Sequence, residues 1–188
     1  MSCGFRRFAV GVYLLVGFAW AQSEGVQPLE PKEAFAIFKA LNEQKKLIES
    51  VFAKVWSYKV QPENCFGLKL PGGARLAGES AGDDYGGLAF TEGSWVPQIG
   101  FMFSETAFTL QDQAFQKGIH RVFASAGSLT LRREDSSISL ALPSRIDAAL
   151  LEAKSRRPKF SFAVDGGQVF LVVANNKLAL KPAQTPQQ

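Results

Sequence analysis

SLTLRREDSSISLAL, residues 128–142, carries the clearest structural statement in the chain. Leu129 and Leu131 alternate with polar neighbours up to Arg132. A charged break follows at residues 133–136, and Ile138, Leu140 and Leu142 alternate back. Successive strand side chains leave opposite sides of the backbone, so this alternation marks a strand with one buried face. Two such runs joined by a short polar break predict an antiparallel hairpin.

The pattern recurs on both sides. Phe160, Phe162 and Val164 share one strand face, Asp165-Gly166-Gly167 supplies a turn, and residues 168–173 return. Asn175-Asn176 permits a further reversal before Leu178 and Leu180. Upstream, residues 119–124 read as extended, and Ile99, Phe101 and Phe103 share a face of a strand that begins near Pro97. Residues 65–70 read as a strand closed by Pro71-Gly72-Gly73, and residues 107–110 as a short strand. Residues 111–118 fit a helical turn or a loop equally well.

Helical spacing enters at two places. Phe35, Phe38, Leu41, Ile48, Phe52 and Val55 recur at three- and four-residue intervals between Pro31 and Pro62. They predict a long helix over residues 31–56, with Pro31 suited to its first position and Pro62 stopping any continuation. Gln44 and Lys45 interrupt the apolar stripe near its middle. A second, short helix is expected from Ser144, whose hydroxyl would cap it, with Asp147 favouring the amino-terminal end. The expected fold class is therefore α+β: a mainly antiparallel curved sheet packed against a long N-terminal helix, with a second short helix before the C-terminal hairpin. No βαβ alternation, internal repeat or linker is visible, so residues 22–188 read as one domain with loose ends.

The chain has 188 residues and a formal net charge of +4. Arg6 and Arg7, the uncharged apolar run from Phe8 to Trp20, and Ala19-Trp20-Ala21 together read as a signal peptide over residues 1–21. The run is short of the roughly 20 residues that a spanning helix needs. No cysteine follows Ala21 to carry a lipid anchor, so the expected location is periplasmic or secreted, with no transmembrane segment in the mature chain. Two of the positive charges leave with the signal. The basic cluster at residues 154–159 fits a solvated helix end, so no nucleic-acid partner is expected. Cys3 would also leave, and Cys65 then has no partner for an intrachain disulfide.

No stretch names a chemistry. The glycine-rich residues 72–87, read as a mobile loop, lack the lysine and hydroxyl of a phosphate cradle, although Arg75 and Tyr85 are present. Glu79, Asp83 and Asp84 match no calcium-loop spacing. His120 is the only histidine, and no ligand pair sits at zinc spacing. A Cys65–His120 nucleophile and base would need the fold to join them. Ser94 lies outside any nucleophile-elbow motif, and nothing sets the separation of Glu79, Asp83, Asp84, Glu92 and Glu105 for glycoside chemistry. No catalytic residue, metal ligand or cofactor is assigned.

The sixteen phenylalanines are more informative. Phe101 and Met102 are neighbours, so apolar side chains emerge from both faces of one strand, and a single helix covers only one of them. The expectation is a non-enzymatic binding module for an apolar small molecule or a partner polypeptide such as another envelope protein. Its cleft would lie between sheet and helix, with Arg75, Tyr85, Trp95, Phe101, Met102 and Phe103 as ligand or partner contacts. A structural or adaptor protein of the cell envelope, with homo-oligomers as one form, and a small hydrolase are the alternatives.

Overall fold

The computed structural model describes residues 25–43, 60–80, 88–91, 94–133, 136–152 and 158–182. The expected signal peptide, the second half of the expected long helix and Tyr85 lie outside the described residues.

Strand β1 (Gln27–Leu29) opens the described chain, followed by helix α1 (Pro31–Glu43) and a 3-10 turn at Pro62–Asn64. Strands β2 (Cys65–Lys69), β3 (Arg75–Glu79), β4 (Leu88–Thr91), β5 (Ser94–Ser104), β6 (Phe108–Leu110), β7 (Gln113–Phe115), β8 (Gly118–Ala124), β9 (Ser128–Arg132) and β10 (Ser137–Ala141) come next. A short helix α2 (Ala148–Glu152) precedes β11 (Phe160–Asp165), β12 (Gln168–Val173) and β13 (Asn176–Pro182).

These strands form two antiparallel sheets. The first runs β1-β2-β3-β5-β8-β9-β10, with β4 also paired to β5, and the second runs β11-β12-β13-β6-β7. The hairpin expected within residues 128–142 is β9–β10, with Leu131 opposite Ile138 and Leu129 opposite Leu140.

The sheets pack face to face. Leu68, Leu76, Met102, Val122, Leu129 and Leu131 from the first meet Phe108, Phe160, Leu171, Leu178 and Leu180 from the second in one buried cluster. The opposite face of the first sheet carries a smaller cluster, in which Ala34, Ile37 and Phe38 of α1 cover Cys65, Ala77, Phe101 and Ile119.

This overturns the expected α+β class. The protein is mainly β, with two sheets instead of one curved sheet, and among the described residues its helices are α1, with 13 residues, and α2, with 5. The physical reason is that Met102 and its neighbours need a covering layer of their own, and the second sheet supplies it. Three local expectations also change. Residues 75–79, read as loop, form a strand inside the first sheet. Residues 27–29, within the amino-terminal end expected to be loose, pair with β2. Ser144 does not cap α2: Asp147 Oδ1 accepts from the Ala149 amide at 2.9 Å. The Ser144 backbone instead exchanges hydrogen bonds with the Asn176 side chain, at 2.7 and 2.9 Å.

Candidate functional site

An open groove of about 230 Å³ runs beside α1, lined by Ala36, Ile37, Ala40, Leu41, Arg75 and Phe103. Its helix wall follows from residue spacing. Ala36 and Ala40 lie four apart on one side of α1, while Ile37 turns in toward the sheet. Small alanine side chains leave space that larger residues would fill. Phe103, half-buried, projects from β5 on the helix-facing side and forms the sheet wall.

Arg75 and Glu105 stand at the groove's edge. Glu105 Oε2 accepts from the Arg75 amide at 2.8 Å, and Oε1 accepts from Nε at 3.0 Å and from Nη2. The fork is therefore held in a fixed plane. The hydrogen bond from Arg75 holds the Glu105 carboxyl below its ordinary range. The same bond raises the Arg75 guanidinium. Arg75 is thus pre-positioned, and one side of its side chain faces the groove.

The other expected contacts divide. Phe101 is buried beneath α1, and Met102 is buried between the two sheets, so they support the groove from below without lining it. Trp95 lies on β5 opposite Phe90. Tyr85 lies outside the described residues, as do Asp83, Asp84 and Glu92. Of the groove residues, Ala36, Ile37 and Ala40 were not singled out from the sequence, and Leu41 was placed only in the helical stripe. The four-residue alanine spacing was the available signal, and it is faint because alanine is common on any helix.

Cys65 and His120 are not brought together; Cys65 lies instead opposite the buried Glu79 on the neighbouring strand. Cys65 packs under α1 and donates from Sγ to the Gln61 carbonyl at 3.3 Å. Burial, then the charges of Glu79 and Glu63, push its thiol up to about 12, which suppresses the reactive thiolate. His120 faces the other way, edge-on to Phe108 and Phe115 with ring centroids 5.5 and 6.0 Å away. The sheet separates the two side chains. Among the described residues no group of three or more His, Cys, Asp or Glu is placed to hold a metal ion.

A second hollow of about 400 Å³ lies where the β11–β12 turn meets the segment just before β1, between Val26, Leu70, Pro71, Gly167, Val169 and Pro182. None of the expected contacts Arg75, Trp95, Phe101, Met102 or Phe103 lines it. No protein family matches the chain, and no curated protein or solved structure matches it.

Proposed function

We propose that the protein is an exported, non-enzymatic binding module that takes an apolar segment of a partner polypeptide in the groove beside α1. The observation that carries this reading is the meeting of an apolar wall from Ile37, Leu41 and Phe103 with the fixed Arg75–Glu105 pair. Small-molecule sites usually span about 300–1,000 Å³. The groove is smaller, and suits one or two side chains of a partner better than an acyl chain. Arg75 would then orient the partner backbone or a carboxylate, while burial of apolar surface supplies the affinity at roughly 25 cal/mol per Å² before ordering costs.

Among the described residues no helix is long and apolar enough to cross a membrane. Export is part of the proposal and rests on Arg6, Arg7 and the apolar run that follows them.

Filling the groove tests the reading. Ala40 is exposed on α1, so Ala40→Trp should leave the fold intact while blocking the site. Binding of a neutral solvatochromic dye to the purified chain is expected to fall sharply in the variant. Absence of dye binding, or equal binding by both proteins, would defeat the reading.

An assembly role is the second reading, favoured by β11. Among the described residues it is the outer strand of its sheet, and it carries Val164 44% exposed. Such an edge accepts an added strand. Dissociation on dilution in light scattering would support it, and monomeric behaviour at all concentrations would remove its homo-oligomeric form.

A further inference from the structure

The half of the first sheet away from α1 carries an arginine pair on the same face as the helix. Arg121 of β8 lies directly opposite Arg132 of β9, and Arg132 lies opposite Ser137 of β10. Phe101 precedes Arg121 in this row, which fixes its face as the α1 side. The neighbouring row is Gln98, Phe123, Thr130 and Ser139. Two arginines and three hydroxyl groups thus share one surface.

Arg121 is held from two directions. Its Nε donates to Gln98 Oε1 at 3.0 Å. Its guanidinium carbon lies 5.0 Å from the centroid of Phe123. Gln98 is itself fully buried and donates from Nε2 to the Gly100 carbonyl at 3.3 Å. These contacts engage one nitrogen and one face, and leave both terminal nitrogens for a further acceptor. Among the described residues no carboxylate forms an ion pair with Arg121 or Arg132. Like charges directly opposite each other on paired strands repel. Burial and the nearby Arg132 both weaken the charged form of Arg121. An anion between the two guanidiniums relieves the repulsion and replaces lost hydration.

We propose that Arg121 and Arg132, with the Ser137 hydroxyl beside them, form a binding site for a dianionic phosphate group. Two planar donor forks match a phosphate's several acceptor oxygens and its double charge better than one carboxylate. Gln98 and Phe123 fix one fork in advance, which lowers the ordering cost of binding. Arg132 is exposed and completes the clamp from the open side. The site is independent of the α1 groove and stands or falls separately.

Calorimetric titration of the purified chain with inorganic phosphate, and separately with methyl phosphate, tests this. Saturable binding of one phosphate per chain is expected. Arg132→Gln should weaken it by about tenfold or more, since a charge-assisted contact is lost. Because Arg132 is exposed, this variant keeps the fold, which circular dichroism checks. Arg121→Lys keeps the charge without the fork and is expected to weaken binding by a smaller factor. Lys177→Gln, on the second sheet, should bind like the parent protein. Binding of inorganic phosphate alone would assign free phosphate, and binding of both would assign an ester-linked group. No saturable binding of either, or unchanged affinity in Arg132→Gln, would overturn the proposal.

Discussion

A methyl group at Gly100 would lie 2.2 Å from the Glu79 carbonyl oxygen and 2.5 Å from the Phe160 ring. At Gly78 it would meet the Phe66 ring at 2.3 Å and Phe160 at 3.1 Å. The two glycines form a shallow seat into which Phe160 of the second sheet fits. The contact is locked by Ser80, whose Oγ donates to the Ile99 carbonyl at 3.0 Å and accepts from the Phe160 amide at 3.1 Å. Gly100→Ala has a backbone oxygen in its way, so it is expected to cost about 2–3 kcal/mol in urea unfolding, at the upper end for overpacking. None of this was legible from the residues, because a glycine in a strand looks the same whether it meets water or a ring from a distant strand. Glu105 gives a second expectation at this scale. Its folded pKa lies below the unfolded value, so the pair stabilises the protein above the unfolded value. That stability is lost as pH falls through the folded one. Arg75 is 48% exposed, and solvent screening limits the pair to about 1 kcal/mol or less. Glu105→Gln should therefore lower stability slightly at neutral pH, with the difference shrinking below about pH 4. A difference that grows in acid would contradict this assignment.

Elements were readable where the local pattern decides the structure. The hairpins β9–β10, β11–β12 and β12–β13 were visible because alternation and turn residues lie within a few positions of each other. The β6–β7 hairpin was not. Its turn residues, Gln111 and Asp112, both adopt positive φ, 47° and 62°. Such turns usually advertise themselves with asparagine or glycine. Strand β3 was hidden for a different reason: Gly78 and the neighbouring glycines imitate a loop, while in the sheet Gly78 makes room for rings. Helix α1 keeps the inner half of its expected stripe. Ala34, Ile37 and Phe38 do face the sheet, and the Glu33 carboxylate accepts from the Glu30 amide at 3.0 Å to close the first turn. The described helix covers 13 residues, ending at Glu43, and the periodicity from Ile48 onward lies outside the described residues. Phe38 is 4% exposed at the centre of this layer. Phe38→Ala is expected to cost about 3–5 kcal/mol, the usual range for deleting a buried aromatic ring. Ala36→Ser, on the exposed side, should change stability by under about 0.5 kcal/mol in the same urea titration. Comparable losses from both would mean that the helix is not anchored through its inner face.

At the scale of the whole molecule, one sheet has two unlike coverings. The inner face meets a complete second sheet, built partly from β6 and β7 and partly from β11, β12 and β13. Strand β13 pairs with β6 across the long stretch of chain between Leu110 and Asn176. That pairing is non-local, which is why the apolar pattern showed that Met102 needed a cover but did not show what supplied it. Among the described residues the outer face meets helix α1 and a much smaller buried cluster. Opening free energy follows the apolar surface that each layer buries, so the helix layer should open before the sandwich unfolds. Cys65 reports on that event, since it is buried under α1 and its thiol is pushed up to about 12. A disulfide reagent such as 5,5′-dithiobis(2-nitrobenzoate) can reach it only when the layer opens. Labelling of Cys65 followed at increasing urea should then show a slope well below that of global unfolding, because slope scales with the surface exposed. The Phe38→Ala variant should label faster with the same shallow slope. Gly100→Ala strains the other face, and should lower global stability while leaving the labelling rate in low urea nearly unchanged. If Cys65 labels with the full global slope, the helix and both sheets open as one unit. The groove beside α1 would then be as rigid as the core beneath it.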